Sequence, residues 1–236
     1  MLYLIGLGLE KKDINIKALE IIKKCKKIYL EIYTTKLPYK KIDLEKVIKK
    51  KVIDAKRDLV ESDFLIKEAK KQNIALLIYG DPLSATTHVS LMNEAKKAKV
   101  KIQIMHNTSI FNAISETGLH LYKFGKTVSI PKWKEHYEPM SFYQTIKENL
   151  NIEAHTLLLV DIDLSLKEAL RELAEASNKE LDNKTIIICS QLGTKNQKIV
   201  NGKFKELVKK IPRVKEPFCI IIPASLHFTE AEFLKI

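Results

Sequence analysis

Short apolar segments alternate with stretches of helical spacing along most of this chain, and that alternation narrows its possible folds more than any other feature. The apolar segments are four to six residues long and rich in Leu, Ile and Val, which is typical of buried strands. They lie at residues 2–5, 27–30, 74–79, 101–105, 127–130, 156–160, 185–189 and 218–222. Helical spacing occupies residues 14–24, 59–71, 90–97, 141–149, 166–177 and 203–210. Strands that alternate with helices predict an α/β fold with mostly parallel sheets covered by helices.

The domain organisation is suggested by a change in this pattern. A chain of 236 residues is compatible with one large domain or two small ones. Between residues 122 and 139 the alternation weakens into aromatic, Gly and Pro residues, which suits a connection or the entry to a second lobe. No internal repeat is evident. We expect two α/β lobes, residues 1–110 and 111–236.

The charge balance is strongly basic, with 41 Lys and Arg against 29 Asp and Glu and a formal net charge of +12. Such a chain attracts nucleic acid or acidic protein surfaces non-specifically. Its lysines lie along almost every predicted helix, which favours a solvated basic surface. No basic segment is interleaved with aromatic residues, so we expect no dedicated nucleic-acid site.

The spacing of the cysteines indicates whether the protein binds metal or forms disulfides, and the lengths of the apolar runs indicate whether it spans a membrane. The three cysteines are isolated, so their spacing predicts neither a disulfide framework nor a zinc site, and we expect no metal. The apolar start, residues 1–8, lacks a basic leader region and is soon followed by charged residues. All apolar runs are far shorter than the ~20 residues needed to span a bilayer. We therefore expect a cytoplasmic protein without a membrane segment.

The first candidate site follows the opening strand, where Gly6 and Gly8 begin like a dinucleotide-binding fingerprint. The third glycine of that fingerprint would fall at position 11, which is Lys11. Close packing of a helix on the strand, with a pyrophosphate at the helix N-terminus, is therefore not supported. Glycines after a strand are often just a tight turn, although open α/β sheets do bind ligands at such strand ends.

The second candidate follows the strand at 74–79 and begins with a Gly-Asp-Pro turn. A turn followed by a helix with Thr87 as its N-cap explains Gly80, Pro82 and Thr87. It leaves Asp81 and Ser84 without a role, and a carboxylate and a hydroxyl are groups that a polar ligand could meet. A ligand site and a structural turn remain equal alternatives on these residues alone.

The third candidate is the His-Asn-Thr-Ser-Ile segment at residues 106–110, which follows the strand at 101–105. Asn107, Thr108 or Ser109 could simply cap the next helix. Because the carboxyl ends of parallel strands share one edge of a sheet, however, all three motifs could converge on one ligand site.

Taken in this order, the motifs resemble the diphthine synthase family of the tetrapyrrole methylase-like superfamily, the class III methyltransferases. The resemblance covers essentially the whole chain. It is carried by residues 1–9, 30–34, 80–82, 85–88, 106–110, 118–125, 127–130, 155–157, 161–162, 197–199 and 226–227. The Leu-Tyr-Lys-Phe-Gly segment at 121–125 and the Asp-Pro-x-x-Ala-Thr-Thr-His segment at 81–88 are the most specific to this family.

The resemblance implies a fold and a set of cofactor-binding residues. Members are similar to one another in having two α/β lobes, with S-adenosylmethionine folded into the inter-lobe cleft, and are usually homodimers. The implied cofactor contacts are Leu9, Asp81, Ser84, Ser109 and Ile110 in the first lobe and Val160, Leu192 and Phe218 in the second.

Two positions depart from the family pattern. Gln191, Leu192 and Gly193 stand where we expect Arg-Ala-Gly, which makes the assignment of Leu192 depend on one alignment. Relatives tend to carry His at the position of Phe218, so a contact there would have to come from the backbone.

The activity implied by the resemblance is methyl transfer from S-adenosylmethionine to a protein. The amino group of an aminocarboxypropyl-histidine on elongation factor 2 would be trimethylated to diphthine, an intermediate of diphthamide biosynthesis, with S-adenosylhomocysteine released. Eukaryotic members also add a methyl ester. The residues identify no catalytic base: His88, His155, His227 and Asp161 are candidates only through their motifs.

Three other functions fit parts of the sequence. A precorrin-type tetrapyrrole methyltransferase would share the architecture but would not be expected to carry the two family-specific segments. A nicotinamide-dependent Rossmann enzyme is weakened by Lys11 and by the lack of an acidic residue at the usual spacing. A basic, non-catalytic RNA- or ribosome-binding protein would rest on net charge alone.

Overall fold

The computed structural model describes residues 1–235 and divides into two compact units, Met1–Ala113 and Ile114–Ile236. In the first unit the strands are β1 Leu2–Gly6, β2 Lys27–Glu31, β3 Ile53–Ala55, β4 Ile74–Ile78 and β5 Ile102–Met105. Its helices are α1 Ile16–Lys24, α2 Lys41–Ile48, α3 Arg57–Glu61, α4 Phe64–Lys71, α5 Val89–Lys97 and α6 Ile110–Ala113.

The second unit is also mixed α/β. Its strands are β6 Val128–Ile130, β7 Thr156–Val160, β8 Thr185–Ser190, β9 Lys198–Lys203 and β10 Phe218–Ile222. Its helices are α7 Ser141–Asn151, α8 Leu166–Ser177, α9 Phe204–Lys209 and α10 Phe228–Leu234, with two short 3₁₀ turns at Ile114–Thr117 and Leu121–Lys123.

The sheet of the first unit has the order β3-β2-β4-β1-β5, and every neighbouring pair of its strands is parallel. Alternate residues of β1 and β4 point to opposite faces, where each set joins a separate apolar cluster. Ile5 and Leu77 pack on one face, whereas Leu4 and Leu76 pack on the other. Burial on both faces is the reason these strands are continuously apolar, and the expected parallel sheet is confirmed for this unit.

The sheet of the second unit differs from that expectation. Its order is β6-β7-β10-β8-β9; only β6 and β7 are parallel, whereas β10 is antiparallel to both β7 and β8, and β9 is antiparallel to β8. The expectation of mostly parallel sheets is therefore wrong for this unit. A connection of seven residues joins β8 to β9, which is too short for a parallel crossover and leaves a hairpin as the only route.

Two strands, the three helices α2, α6 and α10, and one helix start escaped the sequence patterns, and the helical stretch at 59–71 is divided into α3 and α4. β3 has three residues, and β9 is half polar and largely exposed, so neither shows an apolar run. Helix α5 begins at Val89 with His88 in the N-cap position, which makes the prediction of Thr87 as N-cap wrong. The Thr87 carbonyl instead accepts hydrogen bonds from the N–H and the hydroxyl of Ser90.

Neither a membrane helix nor a metal cluster is found in the described part of the chain. Over residues 1–235, every helix is too short or too polar to cross a bilayer. Within the same residues, no three His, Cys, Asp or Glu side chains come together as a metal would require.

Candidate functional site

The loops after β4, β1 and β5 lie next to one another, because these three strands are neighbours in a parallel sheet. The first two loops are joined directly: Gly8 and Gly80 exchange backbone hydrogen bonds of 3.1 and 2.9 Å, with φ angles of +71° and +75°. Such angles favour glycine. The structure therefore brings the first two sequence motifs together at the carboxyl edge of the sheet.

Asp13 holds the turn that follows Gly8. Its Oδ2 atom accepts hydrogen bonds from the backbone N–H groups of Leu9 and Glu10, at 3.0 and 2.7 Å. A Cβ atom on Gly8 would lie 2.5 Å from the Cβ of Asp13. Helix α1 begins only at Ile16, so no helix N-terminus follows the glycines and the dinucleotide fingerprint is absent here.

Asp81 links the loop after β4 to the loop after β5. Its Oδ1 accepts from the Leu83 N–H at 2.9 Å and the Ser84 hydroxyl at 3.3 Å. Its Oδ2 accepts from His106 Nδ1 at 2.8 Å and the Asn107 N–H at 3.1 Å. Four donors thus occupy both carboxylate oxygens. The turn interpretation had left Asp81 and Ser84 without a role, and these hydrogen bonds show that both residues stabilise the loops.

The ionised form of Asp81 is favoured by these contacts. The residue is only 7% exposed, and burial alone would raise the pKa of its carboxyl. The hydrogen bonds from Leu83, His106 and Asn107 outweigh burial and hold that pKa below its usual value. Asp81 is therefore a buried carboxylate that carries its charge at neutral pH.

Asn107 joins the third loop to the first. Its Nδ2 donates to the carbonyls of Gly6 and Asp13, at 3.1 and 3.0 Å, while its Oδ1 accepts from the Thr108 N–H at 2.8 Å. Together with Asp81, this side chain binds all three motif loops into one polar network. We refer to the loops at residues 6–13, 80–88 and 106–110 as the carboxyl-edge loops.

All five residues predicted in the first lobe lie in the carboxyl-edge loops. Leu9, Asp81 and Ser109 are buried, whereas Ser84 and Ile110 are partly exposed. The Ser109 hydroxyl accepts from the Phe111 N–H at 3.3 Å and so caps α6, as the structural alternative proposed.

The three residues predicted in the second lobe also share one edge of their own sheet. Phe218 starts β10 and pairs with Ser190, the last residue of β8, and Leu192 lies two residues beyond that end. Because Ile220 pairs with Leu158 in the antiparallel β7, Val160 lies level with Phe218. Leu192 is buried, and the other two are partly buried.

Gln191 is an unusual residue at that edge. It has a φ of +49°, a region that side chains other than glycine adopt at a cost of order 1–3 kcal/mol. Its Nε2 donates to the Glu216 carbonyl at 2.7 Å, which orients the amide because a carbonyl can only accept. Its buried Oε1 then has no hydrogen-bond partner among the described residues. Strain and an unpaired acceptor therefore coincide beside Leu192.

The four candidate bases all have structural contacts. His88 is buried and donates from Nδ1 to the Pro82 carbonyl at 2.9 Å. His155 is fully buried, accepts from the Ala224 N–H at Nδ1 and donates from Nε2 to Glu230, and burial lowers its pKa.

His227 is the N-cap of α10, and Asp161 accepts from the N–H groups of Ile162 and Lys132. None of the four is singled out as a base.

Several residues of these sites were not predicted. The sequence indicated Asp13 only as one of the charged residues that follow the apolar start, and it indicated Asn107 only as a possible helix cap. Glu230 is fully buried and accepts from the His120 and His227 N–H groups and from Lys123, over a sequence separation of up to 110 residues. The His120 and Lys123 donors come from distant parts of the chain and follow no local pattern, whereas the His227 N–H belongs to the local capping box of α10.

Comparisons with known proteins place this chain in a family. The family model described as tetrapyrrole (corrin/porphyrin) methylases matches residues 1–208. The diphthine synthase of Methanocaldococcus jannaschii is 40% identical, covering 100% of this chain and 98% of that protein. The diphthine methyl ester synthase of Schizosaccharomyces pombe is 36% identical, covering 100% of this chain and 93% of that protein.

Solved structures agree with these sequence relatives. A crystal structure of diphthine synthase matches with a TM-score of 0.92 and 32% identity, covering 99% of this chain and 94% of that one. The resemblance that the motifs indicated is thus confirmed over the full length. This chain belongs to the tetrapyrrole (corrin/porphyrin) methylase family, and its full-length relatives there are named diphthine synthases and diphthine methyl ester synthases.

Proposed function

We propose that this chain is an S-adenosylmethionine-dependent methyltransferase that methylates the aminocarboxypropyl-histidine of elongation factor 2 in diphthamide biosynthesis. One observation carries the proposal: relatives that match the chain from end to end bear the names of this activity. The convergence of the carboxyl-edge loops supports it, because open α/β sheets bind ligands at that edge.

In the first unit, Leu9, Asp81, Ser84, Ser109 and Ile110 are the proposed cofactor contacts. Leu9 and Ile110 offer apolar surface to an adenine ring. Tyr39 supplies a further test of fit, because its buried hydroxyl has no hydrogen-bond partner among the described residues. Burial raises the pKa of this hydroxyl, and the nearby charges of Asp13 and Glu10 raise it further. A polar ligand beside the 6–13 loop would satisfy such a group.

Asp81 acts in this proposal mainly as a positioning residue. Four protein donors already use its oxygens, so its main effect on a ligand is to fix the backbone of the loops that contact it. The preorganised loops lower the ordering cost of binding.

In the second unit, Val160, Leu192 and Phe218 are the proposed contacts. Gln191 adds a second test of fit, since its unpaired Oε1 could accept a hydrogen bond from an amino group of S-adenosylmethionine after a small side-chain shift. The strain at Gln191 is consistent with a residue kept for binding rather than for stability.

Methyl transfer from a sulfonium donor requires little of the protein beyond binding and positioning the two reactants. A bound sulfonium donor supplies an already activated methyl group. This chain then has to hold the acceptor amine in line with that group and exclude water. A dedicated metal is unnecessary for such a transfer.

The extent of methylation is the finer part of the proposal. The archaeal relative is named a diphthine synthase and the fungal one a diphthine methyl ester synthase. We assign trimethylation of the amino group to this chain because the relative of higher identity bears the first name. We also propose a cytoplasmic homodimer as the active form, which light scattering of the purified protein would test.

The decisive experiment incubates the protein with labelled S-adenosylmethionine and aminocarboxypropyl-modified elongation factor 2, and weighs the histidine peptide. Three added methyl groups on the amine are expected. An additional ester methyl, lost on mild alkaline treatment, would instead assign the methyl ester activity. Unmodified elongation factor 2 is the control acceptor, and no mass gain on the modified factor would refute the proposal.

A precorrin-type methyltransferase is the second candidate within the family, because the family model itself is described by tetrapyrrole methylation. The same assay with a precorrin acceptor separates the two. The full-length relatives favour the protein acceptor.

A further inference from the structure

The four connections that lead from a helix into a strand in the first unit are extremely rich in lysine. They span residues 23–27, 49–51, 70–73 and 96–101. These segments contain thirteen lysines and no Asp, Glu or aromatic residue. Lysine is therefore concentrated here far beyond its share of the chain.

All four connections lie at one edge of the sheet, because the strands they enter are parallel. Lys27 is level with Ile74, which is level in turn with Leu2, and Leu2 is level with Ile102. The Lys26 N–H donates to the Asn73 carbonyl at 2.9 Å, and the Leu2 N–H of β1 donates to the Lys101 carbonyl at 3.0 Å. Lys50 Nζ donates to the Lys23 and Cys25 carbonyls, both at 2.7 Å, which joins 49–51 to 23–27. We refer to these four segments as the basic edge.

The basic edge accounts for the charge of the whole protein. The first unit has 23 Lys and Arg against 13 Asp and Glu, which is +10 of the chain's +12. With thirteen lysines on the basic edge, the remainder of the chain has a net charge of −1. The excess positive charge, which the sequence indicated along almost every predicted helix, therefore lies at one edge of the first unit.

Few of these lysines are neutralised within the protein. Lys27 pairs with Glu68, Lys51 with Glu45 and Lys97 with Glu94, while Lys50 donates to two backbone carbonyls. The other nine make no ion pair with any residue from 1 to 235. They are Lys23, Lys24, Lys26, Lys49, Lys70, Lys71, Lys96, Lys99 and Lys101, and all are exposed.

Helix electrostatics explain only part of this arrangement. Lysines in the last turn of α1, α4 and α5 interact favourably with the helix dipole. Lys26, Lys49, Lys99 and Lys101 lie beyond the last helical residue, where that effect has faded. Like charges packed this closely repel one another, and a polyanionic partner would relieve that repulsion.

We propose that the basic edge binds the phosphate backbone of a nucleic-acid duplex without reading its sequence. Five strands at about 4.8 Å spacing make an edge about 19 Å wide. A duplex carries one charge per about 1.7 Å of axis with both strands counted, or about 11 charges over that width, so the nine lysines without ion pairs among residues 1–235 suffice for the phosphates that face the edge.

The residue types support a backbone contact. Lysine binds phosphate as a point charge and lacks the forked geometry with which arginine reads guanine. Single strands bind through stacking on aromatic side chains, and the basic edge has none. The edge also lies a full strand length, about 16 Å, from the carboxyl-edge loops, so it is separate from the proposed cofactor residues.

The test compares two variants with the same loss of charge. One carries Lys26→Gln, Lys49→Gln, Lys71→Gln and Lys101→Gln, with one change in each segment. The control carries Lys134→Gln, Lys167→Gln, Lys195→Gln and Lys209→Gln, all exposed in the second unit and without ion pairs among residues 1–235. Fluorescence anisotropy measures binding to RNA and DNA duplexes of about 20 base pairs over a range of salt concentrations.

We expect the basic-edge variant to bind both duplexes roughly tenfold more weakly than the unmodified protein at 0.1 M salt. Its plot of log affinity against log salt should be shallower by about 2 to 3. The control should change by less than about twofold, and S-adenosylmethionine binding should be unchanged in both variants.

Other results would overturn the proposal. Equal losses in the two variants would mean that net charge, and not the basic edge, governs binding. Tighter, lysine-dependent binding to polyglutamate or to anionic lipid vesicles would assign the edge to an acidic protein or a membrane surface. Tighter binding to polyuridylate than to duplexes would contradict the duplex assignment. Methyl transfer to elongation factor 2 is assayed separately, so either function can fail alone.

Discussion

The carboxylate of Asp81 accepts a hydrogen bond of 3.1 Å from the backbone N–H of Asn107, so that a side chain after β4 fixes the loop after β5. The two residues are 26 positions apart in the sequence. With the contacts of Asn107 to Gly6 and Asp13, this relationship turns three separate loops into one rigid edge.

Replacing Asp81 with Asn should weaken both folding and cofactor binding. An amide group presents N–H to donors that now face a carboxylate oxygen, so we expect a loss of about 1–3 kcal/mol in the free energy of unfolding. Affinity for S-adenosylmethionine should fall at least about tenfold, or about 1.4 kcal/mol, in calorimetric titration. Asp58→Asn, on exposed α3, is the control. A folded variant with unchanged affinity would remove Asp81 from the site.

Replacing Asn107 with Ala should have a similar double effect for a different reason. It leaves the carbonyls of Gly6 and Asp13 without their side-chain donor, at about 1 kcal/mol for each lost hydrogen bond. Urea denaturation and cofactor titration measure the two effects. The exposed Asn93→Ala on α5 should change neither quantity. If Asn107→Ala also changed neither, the Asn107 side chain would not hold the loops together.

Replacing Gly8 with Ala should disrupt the first loop. The new Cβ would lie 2.5 Å from that of Asp13, and φ is +71°, which together should cost about 1–3 kcal/mol of stability. Gly202→Ala is a matched control, because its Cβ would make an ordinary contact of 3.5 Å with Leu207. Chemical denaturation of both variants tests the difference, and equal stabilities would show that the loop adapts freely.

Phe218→Leu should leave cofactor affinity within about twofold, because the proposed contact is made by the backbone that pairs with Ser190. Calorimetric titration with S-adenosylmethionine measures it. A tenfold loss in the folded variant would show instead that the aromatic ring itself contacts the cofactor.

Glu230 should make stability depend on pH in acid. Burial acts to raise the pKa of this carboxyl, but hydrogen bonds from the His120 N–H, Lys123 and the His227 N–H lower it from 4.5 to about 2. Since the unfolded chain then binds the proton more readily, the stabilisation is complete above pH 4.5 and is lost as pH falls towards 2.

Glu230→Gln should flatten that acid limb and cost about 3 kcal/mol near neutral pH, because Lys123 loses its buried partner. Urea midpoints between pH 2 and 6 provide the measurement. Glu232→Gln, exposed on the same helix, should retain the acid limb seen in the unmodified protein. An unaltered limb in Glu230→Gln would assign the acid sensitivity to other carboxyls.

Sequence reasoning succeeded where local composition and structure coincide. The apolar runs of β1 and β4 are buried on both faces of a parallel sheet, so they were visible without any tertiary knowledge. It failed for β9, whose exposed, half-polar sequence lacks an apolar run, and for the strand directions of the second sheet. Direction depends on the route by which the chain returns, and short patterns do not encode that route.

The sequence by itself determined most of the strands, the longer helices, the family and the idea that three strand ends share an edge, because period, turn residues and motif order are local properties. Only the tertiary structure decided that both Asp81 oxygens accept hydrogen bonds within and between two loops, that Gln191 Oε1 has no hydrogen-bond partner among residues 1–235, and that thirteen scattered lysines lie at one sheet edge. Each of these facts depends on the distance between residues far apart in the chain. That distance is set by strand order and register, which come from packing of the whole unit.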